Sequence, residues 1–277
     1  MDIYIWLGII ALSILIGRVL EKEIYFYEGA HLGPRVQVWL YNRWSKKYDE
    51  GKHDSQQCDD EMLARPLLDT LQNIPEPFIL DFATGTGRLS YALMSRSEFK
   101  GHILALDLSQ GMLEQAISKL SRYLDRVELL RHQSLPLPFP DSAFDVVCAL
   151  EVLELFPGMD EPLNELARVL RPGGILLATR GTEESGRKAK VKNKRDFGLM
   201  LKQHGFETFE IAPWWKLFDR VIAIKNGLSL PVGTRKLLDV MHCPACNQTQ
   251  WQQEASILKC QNCGKKLAIT NEGIVLA

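Results

Sequence analysis

Two acids at strand ends, with a turn of small residues between them, carry the clearest chemistry in this chain of 277 residues. Ile79-Leu-Asp-Phe-Ala-Thr-Gly-Thr-Gly-Arg-Leu-Ser90 reads as a buried strand that ends at Asp81, a turn through Ala83, Gly85 and Gly87, and a helix with Leu89, Ala92 and Leu93 on one face. Glycine lets backbone approach a ligand where a side chain would block it. The orphan N–H groups of the following helix start then face the same space. His102-Ile-Leu-Ala-Leu-Asp107 reads as a second strand, also ending in an acid. A carboxylate there accepts both hydroxyls of a ribose better than a neutral group does.

Such a turn holds a nucleotide-like cofactor, and two classes compete for it. The dinucleotide fingerprint G-x-G-x-x-G/A has Gly or Ala at its third small position, where this chain has Ser90, so the match is incomplete. A carboxylate at Asp81 repels a pyrophosphate. It suits S-adenosylmethionine, which has no phosphate and carries an ammonium and a sulfonium. Asp107 fits either class, because nicotinamide enzymes also place an acid about 20 residues on.

A second constellation lies near the other end. Cys243-Pro-Ala-Cys246 and Cys260-Gln-Asn-Cys263 are two C-x-x-C pairs separated by thirteen residues. Four thiolates so spaced make a closed tetrahedral zinc site with metal–sulfur bonds of roughly 2.3 Å. Such a site has no open position, so the expected zinc is structural. A segment this short buries little core and needs the metal for stability.

The elements that must hold these groups alternate. Arg126–Leu130 gives a third strand, Leu137-Pro-Phe-Pro140 a rigid loop and Phe144–Leu150 a fourth strand. Leu163, Leu166, Ala167 and Leu170 mark a helix face at i, i+3, i+4, i+7. Arg171-Pro-Gly-Gly174 stops that helix, Ile175–Ala178 gives a fifth strand, and a helix around Arg195–His204 is stopped by Gly205. Phe206–Ile211 and Phe218–Lys225 close the series as neighbouring strands.

In the order DFATGTG (81–87), LALDLS (104–109), LPFP (137–140), FDVV (144–147) and LRPGG (170–174), residues 40 to 226 resemble the class I S-adenosylmethionine-dependent methyltransferases. The resemblance implies an α/β fold: a seven-stranded Rossmann-like sheet with helices on both faces and an antiparallel last strand. It implies that Asp81, Ala83, Gly85 and Gly87 hold the methionine end and that Asp107 takes the ribose. Leu108 and Met112 then pack near the adenine, Gln133 and Ser134 contact its edge, and Leu150 lies beside the methionine moiety. Gln133 replaces the usual acid, and an amide still hydrogen-bonds an amino group. YNRWSKKYD (41–49) is similar to the N-terminal helix of quinone and lipid-type members, with Tyr48 closing over the cofactor. Leu155 stands where many small-molecule members carry His, so the catalytic residue is unassigned; Glu154, His31, His53 and Tyr48 are the side chains weighed as a base. The cysteine module is similar to zinc-ribbon units attached to, or partnering with, methyltransferases, and its ending, Asn271-Glu-Gly-Ile-Val275, is similar to their D-G-I-P ending.

The N-terminal segment has different chemistry. Ile3–Gly17 has no charge, and the apolar run reaches Leu20 if Arg18 snorkels. A spanning helix needs about 20 residues, with roughly 17 as the lower limit. A cleaved signal peptide needs a basic start, whereas Asp2 stands here without an A-x-A site. A buried core helix is the third option and has little to pack against in this fold. The anchor reading therefore leads, through residues 3–20. Arg18, Lys22, Arg35, Arg43, Lys46 and Lys47 follow the helix, which places the catalytic domain in the cytoplasm.

The net charge of −1 excludes a bulk polycation and gives no sign of nucleic-acid binding. One basic run, Arg187 to Arg195, is either a solvated loop or a contact for anionic lipid headgroups. Asp49–Glu61 is polar and reads as a mobile lid. The expected organisation is an anchor (1–22), a helical lid region (23–70), a methyltransferase domain (71–226), and a linker with zinc ribbon (227–277). The expected activity is methyl transfer to a small or lipid-like acceptor near the membrane. The rivals are an inactive methyltransferase-like scaffold that binds a protein partner through the ribbon, and a nicotinamide-dependent oxidoreductase.

Overall fold

The computed structural model describes residues 3–185 and 191–277. Two long helices, α1 (Ile3–Tyr25) and α2 (Pro34–Gln56), precede a π-helical turn at Asp60–Ala64 and a short α3 (Arg65–Thr70). Strand and helix then alternate: β1 (Phe78–Phe82), α4 (Arg88–Met94), β2 (His102–Asp107), α5 (Gln110–Leu120), β3 (Val127–Arg131), β4 (Phe144–Ala149), α6 (Asp160–Val169), β5 (Leu170–Gly181) and α7 (Lys194–Gln203). A hairpin, β6 (Thr208–Trp215) and β7 (Phe218–Ile224), follows, and then the single turn α8 (Leu237–Val240). The chain ends in β8 (Trp251–Glu254), β9 (Ile257–Cys260), β10 (Lys266–Ile269) and β11 (Val275–Leu276).

β1 to β5 are parallel, and β7 runs antiparallel between β5 and β6. Their strands are nearly unbroken apolar runs because both faces are covered. Alternate residues serve opposite faces. Ile79, Ile103, Ala105, Val146 and Leu177 pack with Leu67 of α3, Leu93 of α4 and Ala116 of α5. Leu80, Leu104, Leu106, Val147 and Leu176 pack with Leu166 of α6, Leu201 of α7 and Val240 of α8.

The sheet has eleven strands, not the expected seven. The order β6-β7-β5-β4-β1-β2-β3 continues directly into β11-β10-β9-β8. An edge strand such as β3 leaves N–H and C=O groups unpaired, and native folds cover such edges. Here β11 adds in parallel to β3, with Val275 opposite Leu130 and Leu276 opposite Arg131, and the Ala277 N–H donates to the Arg131 carbonyl at 3.0 Å. Leu258, Leu267 and Val275 join the main core, so the cysteine module is part of one sheet rather than a tethered appendage.

The linker reaches that edge by crossing the N-terminal ends of the strands. Asp145, fully buried at the start of β4, accepts the N–H groups of Val232 (2.9 Å) and Gly233 (3.1 Å), the N–H of Phe78 (3.1 Å) and the Arg171 guanidinium (2.6 Å). Glu128 in β3 accepts the Leu237 N–H at 2.7 Å. The opposite, C-terminal end of the sheet stays open for the site.

Asp49–Glu61, expected as a mobile lid, is largely helical and tied down. Asp49 accepts from Thr86 (2.6 Å) and pairs with Lys119 (2.7 Å), Lys52 pairs with Glu151 (2.5 Å), and Asn42 accepts from Ser109 (2.8 Å) and the Gly111 N–H (2.8 Å). The run from Arg187 to Lys190 lies outside the described residues. Of its remainder, Lys194 lies 3.5 Å from Asp219.

Candidate functional site

A cavity of about 390 Å³ opens at the C-terminal ends of β1, β2 and β4, roofed by α2 and the turn before it. Strand order reverses between β1 and β4, and α/β sheets bind ligands at that crevice. The volume falls within the range of small-molecule sites, about 300–1,000 Å³.

The structure brings together Tyr48, Asp81, Ala83, Gly85, Asp107, Leu108, Met112, Gln133, Ser134 and Leu150 on the walls of this one cavity. Gly87 stands apart. It caps α4 in the left-handed region (φ 75°), and a Cβ there would meet Leu120 Cδ1 at 2.9 Å and Ala116 Cβ at 3.2 Å. Its bareness lets α4 pack on α5. At Gly85 (φ 57°) a Cβ would meet nothing, and the space beside it is the cavity. Ala83 holds a left-handed conformation without being glycine (φ 56°).

The two carboxylates are fixed differently. Asp81 accepts from the hydroxyls of Thr84 and Ser90, each at 2.7 Å, and its burial raises its pKa against the pull of those bonds. Ser90, the residue that departs from the dinucleotide fingerprint, is the clamp on this acid. Asp107 accepts the Gly85 N–H at 2.9 Å through one oxygen and the Ser109 N–H at 2.8 Å through the other. An ionised carboxylate offers about four acceptor sites, so acceptor capacity remains after these bonds. Burial, and then the nearby Asp81, push Asp107 up to about 6, while the N–H groups of Ser109 and Gly85 pull it down.

The roof is aromatic. Tyr41 and Tyr48 line the cavity one above the other, with rings 6.4 Å apart. Burial, reinforced by Glu28 beside Tyr41 and Glu151 beside Tyr48, lifts both phenols well above their usual range and keeps them protonated. On the far side Leu135, Val152, Leu155, Phe156 and Pro157 make an apolar wall, with Phe156 stacked on Phe82 at 6.3 Å. Leu155 thus adds to a greasy surface where a histidine would have supplied a base. His31 is bonded to Glu23 and His53 is exposed, and both lie off the cavity. Glu154 is buried outside its lining.

Three residues that line the cavity, His132, Arg88 and Glu151, escaped sequence reading. His132 lines the cavity beside Gln133, and its Nδ1 is buried with no hydrogen-bond partner. Burial lowers its pKa, which leaves the ring neutral at pH 7. Arg88 is a hub, bidentate to Asp59 (2.7 and 2.6 Å), bonded to Glu151 (3.0 Å), and stacked 5.0 Å from Trp214. Glu151 takes Lys52 as well. The sequence carried one signal for the hub: a cation at the first helical position after the glycine turn.

The four cysteines also converge. Cys243 and Cys263 lie 3.6 Å apart, as do Cys246 and Cys260, and all four sulfurs lie within 4.8 Å. A disulfide needs about 2.05 Å. A tetrahedron of sulfurs at roughly 2.3 Å from a centre has edges of about 3.8 Å, close to the spacing here.

Comparison with known proteins agrees with this geometry. Residues 79–174 match a methyltransferase domain family. A demethylmenaquinone methyltransferase from Bacillus licheniformis is 38% identical over 105 residues, 38% of this chain and 45% of that one. Another from Desulfitobacterium hafniense is 29% identical over 160 residues, 57% of this chain and 63% of that one. The chain thus spans about half to just under two thirds of these relatives. The crystal structure of an S-adenosylmethionine-dependent methyltransferase from Aquifex aeolicus superposes with a TM-score of 0.54 at 22% identity, over 66% of this chain and 98% of that one. Residues 79–174 thus match a methyltransferase domain family, and the chain shares its fold with the Aquifex aeolicus structure.

Proposed function

We propose that this protein is an S-adenosylmethionine-dependent methyltransferase that acts on a quinone-like, lipid-soluble acceptor at a membrane surface. One observation carries the reading: two buried strand-tip carboxylates, Asp81 and Asp107, flank a bare turn in a cavity whose other wall is apolar. A diphosphate gains nothing from that pair, and a sulfonium nucleoside gains from both.

When bound, the cofactor supplies an electrophilic methyl group on a sulfonium that leaves as a neutral thioether. The residues supply alignment, which is worth roughly 7–11 kcal/mol in well-oriented reactions. Asp107 takes the ribose hydroxyls with its remaining acceptor capacity. Leu108 and Met112 flank the base, and the edge of the base meets Gln133, Ser134 and the neutral His132. Asp81, Ala83, Gly85 and Leu150 hold the amino-acid end. The wall of Leu135, Leu155 and Phe156 takes a flat apolar ring and excludes water, while Tyr48 presents its hydroxyl to the same space and Tyr41, beside it, donates its own to Glu28. Glu151 is held by two cations and serves as a positioned anion. The intact carboxylate pair and the agreement with demethylmenaquinone methyltransferases favour turnover over the scaffold reading.

The four thiolates bind one structural zinc, and α1 anchors the chain in a single pass with the catalytic domain in the cytoplasm. Supporting the anchor, α1 is 23 residues long with mean hydropathy 2.2 in its most apolar window, and none of it is buried.

The test is incubation of the purified full chain with membrane lipid extract and methyl-labelled S-adenosylmethionine, with calorimetric titration of S-adenosylhomocysteine and of NAD alongside. Label in an apolar, ring-containing product, with no NAD binding, is expected. Asp107→Ala should weaken S-adenosylhomocysteine by about 1–3 kcal/mol. NAD binding in this cavity, or an Asp107→Ala affinity equal to the parent's, would remove the basis of the proposal.

A further inference from the structure

The outward face of α2 is unlike the rest of the surface. Arg35, Trp39, Arg43 and Lys46 are all exposed, Trp39 by 59%. At 100° per residue they fall within an arc of about 80°, in a stripe about 16 Å long. None of the three cations takes part in an ion pair among the described residues. Leu32, in the turn just before the helix, is 46% exposed.

The opposite side of the same helix is the roof of the cavity. Pro34, Gln37, Tyr41 and Tyr48 line it, roughly half a turn away from the basic stripe. The end of α1 is fixed to this helix: Tyr25 stacks on Trp44 at 6.4 Å, and Trp44 meets Tyr41 edge-on at 5.8 Å. Ala30 and Gly33, in the turn between the two helices, also line the cavity.

We infer that α2 lies on the bilayer surface through Arg35, Trp39, Arg43 and Lys46, and that its partner there is a leaflet rich in anionic lipid headgroups. This rests on the anchoring of α1 proposed above. An exposed tryptophan among cations is what an interfacial helix presents: the indole sits at headgroup level and the cations meet anionic lipid. Continuity with α1 puts the face where the anchor leaves the membrane. Helix diameter is about 10–12 Å, so the cavity then lies one helix from the bilayer. A lipid-soluble acceptor reaches the site past Ala30 and Gly33 without crossing bulk water. The same arrangement explains why the roof is latched rather than mobile: the membrane-facing helix is itself part of the site wall.

The test uses the full chain in vesicles of phosphatidylcholine carrying brominated acyl chains, with and without phosphatidylglycerol. Trp39 emission is read as the difference between the parent and Trp39→Phe. With phosphatidylglycerol present, that difference signal is expected to be quenched. Quenching should fall in neutral vesicles, fall when salt shortens the screening length from roughly 10 Å at 0.1 M to 3 Å at 1 M, and fall in Arg35→Glu/Arg43→Glu/Lys46→Glu. S-adenosylhomocysteine titration of that triple variant should match the parent, which shows that the charge changes left the fold intact. The lipid and salt arms use the parent sequence and stand if the triple variant fails to fold. Co-sedimentation with vesicles but an unquenched Trp39, or quenching indifferent to lipid charge and salt, overturns the docking and leaves the anchor standing. Failure of the full chain to co-sediment with any vesicle overturns both.

Discussion

Loss of the Arg88 side chain should be costly, because it neutralises a buried carboxylate beside the site. It is 11% exposed and bidentate to Asp59, which is 5% exposed, and its guanidinium lies over Trp214. Burial already holds the Asp59 carboxyl above its ordinary range even with Arg88 beside it. Arg88→Ala leaves that carboxyl buried with its cation gone, a change that typically costs about 3–5 kcal/mol. Protonation limits the penalty. Neutralising a carboxyl with an unfolded pKa of about 3.9 costs about 4 kcal/mol at pH 7 and about 1.5 kcal/mol at pH 5. In the variant the folded pKa of Asp59 is raised further, so the native state binds more protons than the unfolded state and stability falls as pH rises through that window. The destabilisation should therefore shrink by about 2–3 kcal/mol between pH 7 and pH 5. Adding Asp59→Asn should remove the pH dependence and recover about 1–3 kcal/mol at pH 7. Urea unfolding followed by circular dichroism at both pH values measures this. Because Arg88 ties α2 and Glu151 to the glycine turn, S-adenosylhomocysteine should also bind more weakly. A variant within about 1 kcal/mol of the parent at pH 7, or one equally destabilised at pH 5, refutes the assignment of Asp59 as an ionised carboxylate dependent on Arg88.

Asp107, pushed up to about 6, should make cofactor binding pH-dependent. Ribose hydroxyls favour the ionised form, so S-adenosylhomocysteine affinity should fall below pH 6, by up to about tenfold per unit, while the free protein gains stability because its buried carboxyl takes a proton. A flat calorimetric profile between pH 7 and pH 5 would sink this. If the four cysteines hold the proposed zinc, chelation or Cys243→Ser should lower zinc from one per chain and weaken cofactor binding severalfold. The reason is that β11 pairs up to Arg131 and the His242 N–H holds the Pro138 carbonyl at 2.8 Å, which brackets the wall carrying His132, Gln133 and Ser134. Unchanged affinity after metal loss, measured by calorimetry, would separate the ribbon from the site. Gly87→Ala should destabilise by at least about 1–2 kcal/mol through its left-handed backbone, since its Cβ also has no room against Leu120. A thermal melt unchanged from the parent contradicts that.

What the sequence disclosed, and what it withheld, follows from the range of each interaction. The turn after Asp81, the acid ending β2 and the cysteine pairs are local: strand, bend and ligand spacing lie within 21 residues at most, so residue types alone constrain them. Ser90 shows the limit. Its departure from a dinucleotide pattern was visible, but its use as a clamp on Asp81, nine residues away, needed the helix to be folded. The Arg88 hub joins positions 55, 59, 88, 151 and 214, and no periodicity links them. The eleven-stranded sheet was hidden for a different reason. β11 is two residues long, too short for an alternating pattern, and its pairing with β3 is specified by the edge it covers rather than by its own composition. The same holds for α2. Its tyrosines and its cations lie in one run, Arg35 to Tyr48, and only the placement of the cavity separates them into a wall that lines it and a stripe that does not. A helix with work on both sides carries two overlapping patterns of the same period. Sequence alone gives the period, and the partner on each side has to be supplied by the fold.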